Sequence, residues 1–400
     1  MTELEQHTTD TAQGAAQDGP VPDPWNTSER RALRELATDF TRREIVPHLA
    51  TWESAGELPR SLHRKAAEAG LLGIGFGEDI GGAGGDLRDT VIMTEAILAA
   101  GGSTGLMAGL FTHGIALPHM IEHGDPDHIQ QWVRPTLAGD TIGSLAITEP
   151  DTGSDVASIR TTARRDGDHY VVNGAKMFIT SATRADFVTT AVRTGEPGAK
   201  GVSLLVIDTD TPGLGVSRRL DKMGWLCSDT AELHFDDVRV PVANLIGAEG
   251  SGFLQIMHQF QTERASLAVQ AYATAARCLD LTTAWARQRE TFGRTLSSRQ
   301  VIRHKIVDVA TAVDAARTYT RDAIDRALTG NPDVTKISMA KNVAVGACDL
   351  AVDTAVQLHG GMGYLRESEV ERHYRDARIL SIGGGTTEIM KEIIAKLMQI

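Results

Sequence analysis

Cysteine is scarce in this 400-residue chain: Cys227, Cys278 and Cys348 are odd in number and widely spaced. They fit neither a disulfide framework nor a zinc ligand set, so the expected setting is reducing and cytoplasmic. Aromatic residues make up only 5% of the chain, and no apolar run approaches the roughly 18 to 20 residues of a membrane-spanning helix. Residues 1–24 lack a basic stretch and an apolar core, which excludes a signal peptide; their Thr, Gln, Asp, Ala and Pro content reads as a disordered tail. Positive charge is also short. Forty Lys and Arg face 52 Asp and Glu, a net charge of −12, and such a field repels phosphate backbones and argues against nucleic acid as a partner. Several catalytic signatures are missing as well. There is no strand-linked G-x-G-x-x-G, no Walker A loop, no H-E-x-x-H, no C-x-x-C and no strand-linked G-x-S-x-G elbow. The thirteen His are scattered, and the closest group, His113, His119 and His123, is better explained by helix packing than by metal.

What is abundant is glycine, 40 residues or one in ten, against a hydrophobic content of 42% that is ordinary for a globular protein. The length calls for two or three folding units. From Trp25 the apolar period is helical, with Thr27 or Ser28 as the cap and Leu33, Leu36, Ala37, Phe40 and Ile45 on one stripe. Further helical segments fall near 62–69, 90–100 and 128–137. The period then changes. Segments 142–147, 170–172, 178–180, 187–192, 202–207 and 231–235 are short and β-branched, separated by turn pairs such as Asp166-Gly167 and Asn173-Gly174. Long helical runs return at 253–289, 300–328, 332–358 and 386–398. The expected architecture is α+β multidomain: a tail over 1–24, a helical domain over 25–141, an antiparallel β domain over 142–249 and a helical bundle over 250–400.

Five polar or glycine-rich segments stand out. I-T-E-P-D-T-G-S-D over 147–155 follows a strand and crowds hydroxyls and N–H groups into a turn, equipment for a polar ring edge or a phosphate. K-M-F-I-T over 176–180 sets an aromatic and a Thr on a strand. R-E-T-F-G over 289–293 ends a long helix, where Gly is an ordinary cap. Q-L-H-G-G-M-G-Y over 357–364 and G-G-G-T-T-E over 383–388 bring backbone close to something, and the second opens a helix whose free N–H groups suit an anion or a carbonyl oxygen.

In this order, and with R-D-A-R-I over 375–379 ahead of the last segment, these motifs closely resemble the acyl-CoA dehydrogenase flavoprotein family, over about residues 25–400. The resemblance implies a helical domain, a β domain and a C-terminal four-helix bundle, non-covalent FAD and a homotetramer. It also implies oxidation of an acyl-CoA to the trans-2-enoyl-CoA, as in fatty-acid β-oxidation, with electrons passed to an electron-transfer flavoprotein. By the same resemblance Leu145, Ile147, Thr148, Ser154, Phe178 and Thr180 line the flavin and its pyrophosphate. Arg289 and Phe292 reach the FAD of a neighbouring subunit, with Gln300, Gln357 and Gly361 near its ADP half. Thr386 and Glu388 close the site, Ser154 nears the substrate thioester, and Arg264 lies around the CoA nucleotide.

The reaction needs a base for the α-proton while hydride leaves Cβ for flavin N5. Many relatives carry Glu just before the terminal G-T, but Gly384 falls in that place here. A second pattern, similar to long-chain and isovaleryl-type members, sets the base on a bundle helix, and Glu263 matches it. Periodicity supports this independently, because Glu263 interrupts the apolar stripe of Phe253, Ile256, Met257, Phe260, Leu267 and Ala271. Desolvation there raises a carboxyl toward neutrality, which suits a general base. The alternative is an ion pair with Arg264 or another cation. Gly384 keeps its N–H, which the resemblance makes a partner for the thioester oxygen, and its missing side chain leaves room for a branched acyl chain. Glu149 and Glu388 are expected in structural or flavin-side roles. Two other activities remain open: an oxygen-reactive oxidase or monooxygenase on the same scaffold, and a non-catalytic acyl-CoA-binding relative.

Overall fold

The computed structural model of the protein describes residues 23–330 and 332–400; nearly all of the expected tail therefore lies outside the described residues. Thr27 caps the first helix, Ser28–Phe40, its Oγ1 accepting from the Arg30 N–H at 3.3 Å. Ala37, Phe40 and Ile45 are buried as their spacing predicts, whereas Leu36 faces outward. The helix Leu87–Ala99 begins with a capping box made by Asp86 and Asp89, and it runs through the centre of the helical layer with Val91 through Leu98 buried.

The middle region forms one seven-stranded sheet from β1 (Gly143–Ala146), β2 (Thr162–Asp166), β3 (His169–Thr180), β4 (Phe187–Arg193), β5 (Val202–Asp208), β6 (Leu214–Arg219) and β7 (Thr230–Pro241). Strand order is β1-β4-β2-β3-β7-β6, with β5 also on β4. Most pairs are antiparallel, but β1 runs parallel to β4, Gly143 facing Phe187. The reason is connectivity: the chain leaves β1 through a long loop and the β2–β3 hairpin before β4, so no tight hairpin forces it to reverse. Two of the expected short segments, 170–172 and 178–180, are the two ends of β3, whose pairing with β7 shifts register between Lys176 and Ile179. Strands β2 and β6 escape a reading by periodicity because both are largely exposed and charged.

The last third is a bundle of Gly252–Gln288, Gln300–Leu328, Val334–His359 and Thr387–Leu397, with a short polar helix, Glu369–Ala377, between the last two. Small residues let the first and third helices approach closely: Ala268, Ala271 and Ala275 on one and Ala344, Ala347 and Ala351 on the other are buried in a single core. The start of the first bundle helix leans on the sheet. Ile256 is fully buried in a cluster with Ile147, Phe187, Val202 and Val206, and Phe253, Met257 and Phe260 pack against it. Burying each such side chain contributes about 1.5–3 kcal/mol, enough to fix this helix against the strands. Glu263 lies one turn past Phe260 on this helix. No helix among the described residues is long and apolar enough to cross a membrane.

Candidate active site

Three short backbone segments and one helix build the site. At the sheet edge, the register shift in β3 releases the Met177 N–H to bond the Thr148 carbonyl at 2.8 Å, which ties the end of β1 to the bulge. The bulge leaves Phe178 at φ +62° and 60% exposed, an aromatic face held in a left-handed conformation with no core to enter. Leu145, Thr148 and Thr180 beside it are half-buried, and among the described residues neither threonine hydroxyl bonds another protein atom. An exposed aromatic, an apolar floor at Ile147 and two free hydroxyls suit a planar ring with polar edges, so these residues fit a flavin.

Glu149, in the same motif, has a different task. Its carboxylate accepts from Lys176 Nζ at 2.8 Å and from the Arg160 and Thr161 N–H groups at 2.6 and 2.9 Å. Lys176 also donates to the Ile147 carbonyl at 2.9 Å and is wholly buried. Burial pushes the Glu149 carboxyl up, but Lys176 and the two amides outweigh it and hold it below the usual carboxylate range. Glu149 is thus a clamp that folds the motif. Ser154 follows on an exposed turn.

Glu263 lies on Gly252–Gln288 next to the glycine run. A Cβ on Gly384 would stand 3.3 Å from Glu263 Oε1 and 2.5 Å from Leu267 Cδ1, so the two positions singled out as possible seats of a base are neighbours in space. Gly384 is at φ +62°, where glycine carries no steric penalty. The expected alternative for Glu263, an ion pair with Arg264, does not form. Arg264 is buried, lies over the Phe260 ring at 5.7 Å and donates through Nε to the Gly384 carbonyl at 3.4 Å. Among the described residues Glu263 has no hydrogen bond and no salt bridge, although it is only half-buried. Burial raises its carboxyl above the ordinary value, with Lys341 and Arg264 opposing the rise. Lys341, absent from the sequence reading, donates to the Gly383 and Gly385 carbonyls at 2.6 and 2.5 Å. Its signal was a lone cation on the buried stripe of Ile337, Ala340, Ala344, Val345 and Cys348. Among the described residues the Gly384 N–H finds no acceptor, and Thr386 closes the run by capping the last helix through Ile389 N–H. Glu388 is exposed in that helix's first turn.

The remaining candidates are far away. Arg289 lies about 39 Å from Glu263 along the helix, at a rise of roughly 1.5 Å per residue. Phe292 sits on a two-residue hairpin at φ +50° and 95% exposed, with Arg299 over its ring at 5.6 Å. Gln300, Gln357 and Gly361 are exposed near the same end of the bundle, where Trp285 bonds the Leu358 carbonyl and stacks on His359. One chain therefore carries two separated sets of candidates. The expectation that Arg264 meets the CoA nucleotide finds no open surface at that residue. Among the described residues no cluster of His, Cys, Asp and Glu could hold a metal.

Comparison with known proteins matches this arrangement along nearly the whole chain. Residues 27–140, 144–238 and 250–399 match the acyl-CoA dehydrogenase N-terminal, middle and C-terminal domains in turn. The chain belongs to the acyl-CoA dehydrogenase family. The family is one of FAD-dependent oxidoreductases acting on acyl-CoA. A probable acyl-CoA dehydrogenase of Bacillus subtilis (strain 168) is 38% identical over 92% of this chain and 98% of its own length. The mitochondrial long-chain specific acyl-CoA dehydrogenase of Rattus norvegicus is 37% identical over 92% of this chain and 86% of its own. Among solved structures, a probable acyl-CoA dehydrogenase from Mycobacterium abscessus superposes with a TM-score of 0.93 at 66% identity, covering 94% of this chain and all of that one. A prolyl acyl carrier protein oxidase shares the fold at a TM-score of 0.89 and 27% identity, with 94% of this chain and all of that one covered.

Proposed function

We propose that this protein desaturates an acyl-CoA thioester between its α and β carbons, with Glu263 as the base that removes the α-proton. The observation that carries the reading is a half-buried carboxylate beside Gly384 and a Gly384 N–H, neither of which has a hydrogen-bond partner among the described residues. FAD, when bound, supplies the acceptor for the hydride that leaves the β-carbon. The residues to hold its ring are Leu145, Ile147, Thr148, Phe178 and Thr180, with Ser154, Thr386 and Glu388 around it.

Each group has a defined share of the work. The Glu263 carboxylate, raised toward neutrality by burial, accepts the proton. The Gly384 N–H donates to the thioester oxygen as negative charge grows there; removal of one such donor elsewhere costs about 3 kcal/mol, or on the order of 100-fold in rate. The room expected at Gly384 for a branched chain is taken up by the protein itself, since Leu267 Cδ1 and Glu263 Oε1 stand 2.5 and 3.3 Å from where a Cβ would lie. Arg289, Phe292, Gln300, Gln357 and Gly361 complete the cofactor site of a second subunit, since one chain holds them about 39 Å from its own base. That separation supports a homo-oligomer, with a tetramer as its state. Electron-transfer flavoprotein is the proposed electron acceptor. The three cysteines, all buried and unpaired, accord with a cytoplasmic home.

The test is anaerobic flavin bleaching of the FAD-loaded protein across a panel of straight and branched acyl-CoAs. Glu263→Gln should stay yellow and bind acyl-CoA, yet fail to bleach. Bleaching of that variant at the native rate would remove Glu263 from the role. The oxidase among the fold neighbours makes oxygen the competing acceptor, and peroxide release in air without any added acceptor would favour it.

A further inference from the structure

Three consecutive carbonyls, those of Gly383, Gly384 and Gly385, accept from two buried cations on two different helices. Lys341, on Val334–His359, takes the first and third at 2.6 and 2.5 Å; Arg264, on Gly252–Gln288, takes the second at 3.4 Å. The next residue along, Asn342, anchors the Thr387 carbonyl at 3.3 Å, so one helix secures both the run and the start of the helix after it. A lysine with 1% of its surface exposed costs far more to bury than a Met or Leu of similar size, and here its ammonium hydrogen-bonds only to backbone. The fold thus spends a buried charge on the shape of a turn.

Peptide planarity says what that shape achieves. In a trans peptide the carbonyl of one residue and the N–H of the next point in opposite directions. Lys341 holds the Gly383 carbonyl, and the Gly384 N–H, in the same plane, must point away from Lys341. With glycine at all three positions, nothing in the run's own side chains fixes those planes, and without Lys341 the Gly383 carbonyl, and with it the Gly384 N–H, loses its hold. The charged groups acting on Glu263 are also few: Lys341 from the neighbouring helix and Arg264 from its own, the glycine run presenting only backbone.

We propose that Lys341 is a positioning residue for the reaction read above: it aims the Gly384 N–H through the shared peptide plane and sets a positive charge beside the Glu263 carboxylate. Burial holds its own ammonium down to about 8, so it is still charged at neutral pH. The inference rests on that reading for the rate, but its electrostatic half can be read without turnover.

The experiment uses FAD-loaded protein and the variants Lys341→Met, Lys341→Gln and Lys341→Arg. Protonation of Glu263 is followed by the infrared band of its neutral carboxyl, identified by its loss in Glu263→Gln. Flavin reduction by acyl-CoA is followed anaerobically. In Lys341→Met the band should persist to higher pH, and the limiting reduction rate should fall on the order of 100-fold. Lys341→Gln, which keeps a donor but no charge, should move the band while retaining more of the rate. Lys341→Arg should leave the band near its native pH and lose rate, because a planar fork cannot reproduce both bonds of a compact ammonium. Should the Met variant not fold, the Gln and Arg variants carry the same contrast. A band that titrates at the native pH in both neutral variants, with rates within twofold of native, would overturn the proposal. If native protein is bleached by no acyl-CoA while the band still moves with Lys341, the electrostatic half stands and the reaction itself is misread.

Discussion

Alanine at position 384 is the smallest perturbation with a calculable effect. Gly384 is at φ +62°, and an L-residue in that left-handed region costs about 1–2 kcal/mol. The new Cβ would also meet Leu267 Cδ1 at 2.5 Å, closer than real Cβ contacts, while 3.3 Å to Glu263 Oε1 is tight but tolerable. Leu267 is 7% exposed and packed in the main core, so it yields little, and the turn must move instead. Overpacking of this kind adds about 1–3 kcal/mol. Displacement of the turn withdraws the Gly384 N–H, worth about 3 kcal/mol in the transition state. Gly384→Ala should therefore lose about 2–5 kcal/mol of stability by urea denaturation and on the order of 100-fold in anaerobic flavin reduction. Leu267→Ala opens the space the new methyl needs, so the double variant should recover part of the rate and cost less stability than the two single changes added together. A Gly384→Ala protein with native stability and native reduction rate, or strictly additive behaviour of the pair, would refute the reasoning.

Two further outcomes follow from the same geometry. Glu149→Gln leaves the buried Lys176 ammonium with neutral oxygen acceptors but no counter-charge, and loss of one charged partner from a buried pair costs about 3–5 kcal/mol. Because Glu149 titrates below its ordinary value of 4.5 in the fold, its stabilisation is present above that pH and disappears as pH falls through the lower folded value. Urea midpoints of native and variant protein should accordingly converge in acid; a constant gap down to pH 2 would contradict the clamp. Phe292→Ala removes an exposed side chain whose ring meets the guanidinium of Arg299, so the isolated chain should keep its thermal stability within about 0.5 kcal/mol. Sedimentation and FAD retention should nevertheless both weaken, and unchanged retention would show that Phe292 does not reach a neighbour's cofactor.

The architecture was largely legible in the chain itself. Long helical periods after residue 252 correspond to real helices because amphipathic spacing is a local property that packing then uses. The short β-branched segments likewise mark the buried strands β4, β5 and the core of β7, with β3 found only at its two ends. Segments that pack weakly were invisible: β2, β6 and Glu369–Ala377 are polar, so no apolar period announces them. The motif residues near the sheet edge were legible as types, but the bulge that exposes Phe178 depends on pairing with β7, far along the chain.

The sequence by itself determined the family and the order of helical and β regions, and it singled out Glu263 as the proposed base where position 384 carries glycine, because these rest on residue identity and local period. Only the tertiary structure decided what surrounds that carboxylate. It put Gly384 against Glu263, turned Arg264 onto a backbone carbonyl instead of into an ion pair, and brought Lys341 to the glycine run. Those are contacts between segments up to 120 residues apart, and no local pattern encodes which of two cations a carboxylate will meet. The distance between Glu263 and Arg289 is the opposite case: a single helix sets it, and local period alone was enough to predict that helix.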